Sequence, residues 1–96
     1  MPNQPQKQKI QIKVSDEVLK GSYANAMIVN HTQEEFILDF LNVFPPNGIV
    51  NARVITSPGH FKRIISALQE NLKKYEDKFG KVKTAEEPEK NIGFVK

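Results

Sequence analysis

Apolar and polar residues alternate with a period of two in KIQIKV, residues 9–14, where Ile10, Ile12 and Val14 oppose Lys9, Gln11 and Lys13. That pattern predicts a half-buried β-strand. Ser15-Asp16-Glu17 and Lys20-Gly21-Ser22 supply turn chemistry around Val18 and Leu19. The next stretch, 22–32, again reads as a strand, with Tyr23, Met27 and Val29 on one face and Ala24, Ala26 and Ile28 on the other. Residues 51–56, NARVIT, form a further strand, set off by the turn Pro45-Pro46-Asn47-Gly48.

Residues 32–44, TQEEFILDFLNVF, fit two periods. As a helix, Thr32 and Glu35 form a capping box, and Phe36, Ile37, Phe40, Leu41 and Phe44 make an apolar stripe. As a strand, Phe36, Leu38, Phe40 and Phe44 share one face, and Ile37, Leu41 and Val43 the other. β-branched and aromatic content, the flanking strands and the Pro-Pro stop favour the strand.

One helix is clearly marked. Ser57 suits the N-cap and Pro58 the first helical position, where its missing N–H costs nothing. Phe61, Ile64, Ile65, Leu68, Leu72, Tyr75 and Phe79 then fall within about 100° of arc, and Gly80 stands where a C-terminal glycine would. Lys62, Arg63, Ser66, Glu70, Lys73 and Asp77 face the other way. Such a helix spans about 33 Å at 1.5 Å per residue, which is long for so small a domain. The expected fold is α+β: an antiparallel meander of about four strands over 9–56, then one long amphipathic helix over 58–79.

A chain of 96 residues with 39% hydrophobic content supports a single domain with a modest core. The formal charge of +3 is unevenly distributed. Residues 1–14 carry Lys7, Lys9 and Lys13 and no acid, while residues 15–80 hold seven basic and eight acidic side chains. Residues 1–8 therefore read as a disordered basic tail, 9–80 as the domain, and 81–96 as a flexible charged tail. The closing Ile92-Gly93-Phe94-Val95 reads as a frayed terminus, with a docked strand or a peptide-like hook as alternatives. The chain has no cysteine, which excludes disulfides, thiolate catalysis and cysteine-based zinc sites. No apolar run approaches the ~20 residues that span a bilayer, and MPNQPQKQK lacks the apolar core of a secretory signal, so a soluble cytoplasmic protein is expected.

Candidate chemistry is thin. Ser57, His60, Lys62 and Arg63 crowd the helix start, where an anion or nucleic acid could bind. No glycine-rich phosphate loop accompanies them, and Glu70, Glu76 and Asp77 farther along would repel a phosphate backbone. A solvated face is the better reading. His31 and His60 with Glu34, Glu35 or Asp39 lack diagnostic metal-ligand spacing. Ser57 with His60 lacks an orienting acid. No catalytic residue, metal or cofactor is expected.

The stretches YANAMIVNHTQEEFILDF (23–40) and ARVITSPGHFKRIISALQENLKKYEDKFG (52–80) resemble the small prokaryotic family catalogued as domain of unknown function 3467. The resemblance rests on Tyr23-Ala24-Asn25, the His31-Thr32 turn, Glu35-Phe36-Ile37-Leu38-Asp39-Phe40, Ser57-Pro58-Gly59-His60, and Tyr75-Glu76 leading to Phe79-Gly80. Phe61 departs from the small residue that the family pattern has there. The family brings no assigned activity. A fold-level analogy to the export chaperone SecB, which also joins an antiparallel meander to a long C-terminal helix, suggests polypeptide binding as one alternative.

Because one helix covers one face of a sheet, the apolar residues of the other face are left over. Ala24, Ala26, Ile28, Ile37, Leu41 and Val43 are accordingly expected to form an interface, most simply in a homodimer. Folding-back of Ile92, Phe94 and Val95 over this face is the alternative. A homo-oligomeric interaction or scaffold module with an unidentified protein partner is the expected function. A nucleic-acid accessory protein using the basic tail and the helix start is the runner-up.

Overall fold

The computed structural model describes residues 8–88 and 92–95. In order, the elements are α1 (Asp16–Lys20), β1 (Ala26–His31), β2 (Phe36–Phe44), β3 (Asn47–Thr56) and α2 (Pro58–Phe79). The three strands form one antiparallel meander in the order β1-β2-β3. The fold is thus α+β with a long C-terminal helix, but the sheet has three strands where about four were expected. Residues 9–14 form no strand, and Ile10 and Ile12 are 81% and 87% exposed. Alternation makes a segment competent to pair; it does not supply the edge to pair with. Ser15-Asp16-Glu17 does not merely turn: Ser15 caps α1, accepting from the Val18 N–H, and Gly21 ends it at φ 78°.

The ambiguous stretch is a strand from Phe36 onward. Thr32 still acts as a cap, its Oγ1 accepting from the N–H groups of Glu34 and Glu35 at 3.2 Å. The turn stops there, because Thr32 N–H donates to the Glu35 carbonyl at 2.9 Å and closes a hairpin. At the other end, the cis Pro45–Pro46 peptide links Phe44 to Asn47, which pair directly. β3 therefore begins at Asn47, four residues before the expected start. The register places one extra residue, Asn51, between Val50 and Ala52, opposite Phe40 and Leu41. This is a β-bulge in β3.

Register divides the sheet into two faces. Ala26, Ile28, Ile37, Asp39, Leu41, Val43, Arg53 and Ile55 lie on one, and Met27, Val29, Phe36, Leu38, Phe40 and Val54 on the other. Burial is confined to the middle strand, at Leu38, Asp39, Leu41 and Val43. Asn25 extends the β1 side of the ladder with its side chain. Its Nδ2 donates to the Val43 carbonyl at 2.9 Å, and its Oδ1 accepts from the Val43 N–H at 2.8 Å. One carboxamide thereby does the work of a paired backbone residue.

α2 begins and ends where expected. The Ser57 Oγ accepts from the His60 N–H at 3.2 Å, and Gly80, at φ 93°, donates to the Glu76 carbonyl at 2.8 Å. The expectation that α2 covers a face of the sheet is not met. α2 has no buried residue. It is anchored near its start, with Phe61 stacked on Phe36 at 4.0 Å between ring centroids and Phe61 and Ile64 half-buried. The reason is geometric: α2 leaves from the end of an edge strand, and three strands are only about 10–15 Å across.

Asn25→Ala removes both partners of Val43 at once. It is expected to lower stability by about 2 kcal/mol, read from urea unfolding of the full-length chain. A change below about 0.5 kcal/mol would mean that water replaces the carboxamide at no cost.

Candidate functional site

The helix start holds no assembled chemical centre. Ser57 is occupied as a cap, and His60, Lys62 and Arg63 are exposed around the first turn. His31 lies at the end of β1, its ring 5.5 Å from that of Phe36. Among the described residues, no three His, Asp or Glu side chains are grouped to hold a metal ion.

Sequence reasoning weighed Asp39 only as a metal-ligand candidate, yet it is the most buried side chain among the described residues. Asp39 is 0% exposed, midway along β2 among the apolar side chains Ile37, Leu41 and Val43 of that strand. Its cross-strand neighbour is Arg53 of β3. Arg53 grips it side-on, Nε donating to Oδ1 at 2.7 Å and Nη2 to Oδ2 at 2.9 Å. These hydrogen bonds hold the Asp39 carboxyl below its ordinary range against the opposing effect of burial, and they raise Arg53. A signal was present: Asp39 shares parity with Ile37, Leu41 and Val43, so a strand reading places a lone acid among apolar side chains, and such an acid needs a cation. The pair carries out no evident chemistry. It fixes the β2–β3 register, because a slip of one residue would put Arg53 on the opposite face.

The six residues expected at an interface divide into three groups. Ala24 precedes β1 and is exposed; Ala26, Ile28 and Ile37 are half-buried on the Asp39 face; Leu41 and Val43 are 3% and 8% exposed within the single chain. Residues Ile92–Val95 border a groove together with Leu41, Val43 and the Pro45–Val50 hairpin. Ile92 also closes a second, smaller groove beside Ala26 and Ile28. The C-terminal segment thus shares this face with the sheet, with Ile92 half-buried and Val95 95% exposed.

An uncovered apolar stripe runs along α2. Ile65, Leu68, Leu72, Tyr75 and Phe79 are 41–64% exposed along one side of the helix. Ion pairs decorate the remainder, Lys73 with Asp77 at 3.0 Å and Lys74 with Glu70 at 3.7 Å. They are exposed pairs worth only a few tenths of a kcal/mol each. The stripe presents a row of apolar side chains to solvent.

Fold and surface together describe a small α+β domain, and no helix among the described residues is long and apolar enough to cross a membrane. The chain belongs to the family described as Protein of unknown function (DUF3467), whose family model matches residues 1–84. No curated protein and no solved structure matches the chain. The analogy to SecB finds no support in these comparisons.

Asp39 generates a pH prediction. Its carboxyl titrates lower when folded than when unfolded, so its contribution is fully present above the unfolded value near 3.9 and fades as pH falls through the folded value. Stability to urea should drop below about pH 4, and Asp39→Asn should be less stable at pH 7 with a shallower acid drop. Parallel pH profiles for the two proteins would contradict the role given to the pair.

Proposed function

We propose that this protein is a non-catalytic, cytoplasmic homo-oligomeric interaction module whose working state is a dimer formed through α2. The observation that carries this reading is a 22-residue amphipathic helix without one buried residue. Most helical stability in proteins comes from packing an amphipathic face, and here that face is uncovered. Covering the exposed half of its five stripe residues would contribute roughly 4–7 kcal/mol per chain. Two copies together would then offset an association cost of about 4–15 kcal/mol.

A two-fold dimer is the simplest closed way to cover the stripe.

Light scattering on the intact chain at micromolar concentration should give about twice the monomer mass of 10.9 kDa. Leu68→Glu combined with Leu72→Glu should return it to a monomer and leave the sheet folded. A 10.9 kDa particle from the unmodified chain would refute the proposal. The nucleic-acid alternative is separated by salt: binding at ~150 mM that requires Lys62 and Arg63, and survives removal of Lys7, Lys9 and Lys13, would promote it.

A further inference from the structure

Residues 9–14 and the outer edge of β3 are each incomplete in a way that the other would satisfy. The backbone of 9–14 makes no hydrogen bond among the described residues, although its side chains alternate as a strand's do. β3 is a ten-residue edge strand with β2 on one side only. Natural edges of this length are usually guarded by lysine, proline or a cover. Over 52–56, Ala-Arg-Val-Ile-Thr, the sole charge is Arg53, already committed to Asp39, and Val54 and Ile55 are 45% and 54% exposed. The opposite edge is less open, because Ala26, Met27 and Ile28 of β1 line a groove with Glu87, Pro88 and Ile92.

The chain leading into β1 runs towards β3, since the Asn51 side chain donates to the Tyr23 carbonyl. Ahead of it stands α1, capped by Ser15 and Gly21, with Val18 and Leu19 71% and 70% exposed. Residues 9–14, ahead of α1, lie exposed and unpaired with their own sheet.

We infer that residues 9–14 pair as a strand with the 52–56 edge of a second copy, mutually across the two-fold axis, so that each sheet gains its fourth strand in trans. The inference rests on the dimer reading. Main-chain hydrogen bonds would supply much of the affinity, as in other cases of strand addition. The alternation of Ile10, Ile12 and Val14 would set the register.

The native chain has no cysteine, so an introduced pair oxidises without competition. A chain carrying Ile12→Cys is co-expressed with a chain carrying Ala52→Cys, Val54→Cys, Ile55→Cys or Thr56→Cys, and each mixture is oxidised. Bridging requires Cα atoms within about 7 Å, which adjacent strands provide. The expected result is a disulfide-linked pair of twice the chain mass for at least one partner position. Amide exchange at 10–14 in the unmodified dimer should also be slowed about tenfold or more. When both cysteines are instead placed in one chain, a bond formed only within that chain, with none between the singly substituted chains, would place the arm on its own edge and overturn the inference. No bond at any position, with unprotected amides at 10–14 in a particle of dimer mass, would overturn it too, while leaving the dimer standing. A particle of monomer mass would remove both.

Discussion

The apolar stripe of α2 has almost nothing in its own chain to lie against, and the rest of the molecule is shaped by that constraint. A 22-residue helix is about 33 Å long, whereas a three-stranded sheet is only about 10–15 Å across. α2 leaves from the end of β3 and meets the sheet near its start, where Phe61 stacks on Phe36. One chain cannot both present this helix and cover it.

The same shortage governs the sheet. Among the described residues, the buried apolar side chains are Leu38, Leu41 and Val43, all on β2. With so small a core, strand pairing cannot rely on hydrophobic packing alone to choose its register. Polar devices supply the selection: Asp39 with Arg53 on one side of β2, and Asn25 with Val43 on the other. Each is directional, and each leaves buried polar groups unpaired if the strands slip. The sheet is therefore defined by its hydrogen bonds more than by its volume. Its edges keep the capacity to take another strand.

Local rules written into the sequence were readable wherever the physics is local. α2 runs from the residue after its serine cap to the residue before its glycine stop, because capping and helical periodicity act over a few residues. The stop at Pro45-Pro46 was legible for the same reason, whereas 32–44 fitted two periods and β3 begins four residues before the expected start. Residues 9–14 mislead because alternation describes competence to pair, while the partner is a non-local matter. Asp39 was legible in principle, as a charge out of place among Ile37, Leu41 and Val43. Asn25 was not, since a carboxamide that imitates backbone leaves no trace in polarity patterns. The uncovered helix was half-legible: its length signalled a partner, but a fourth strand that is absent made the sheet look wide enough to hold it.

The central claim is that α2 is buried against a second copy, and amide hydrogen exchange along α2 at two protein concentrations tests it most directly. If α2 is an interface helix, amides from about Ser66 to Lys78 are protected at high micromolar concentration and lose that protection on dilution, while β2 stays protected throughout. Exchange along α2 that is rapid and identical at both concentrations, with β2 protected as before, would show a helix projecting into solvent and contradict the claim.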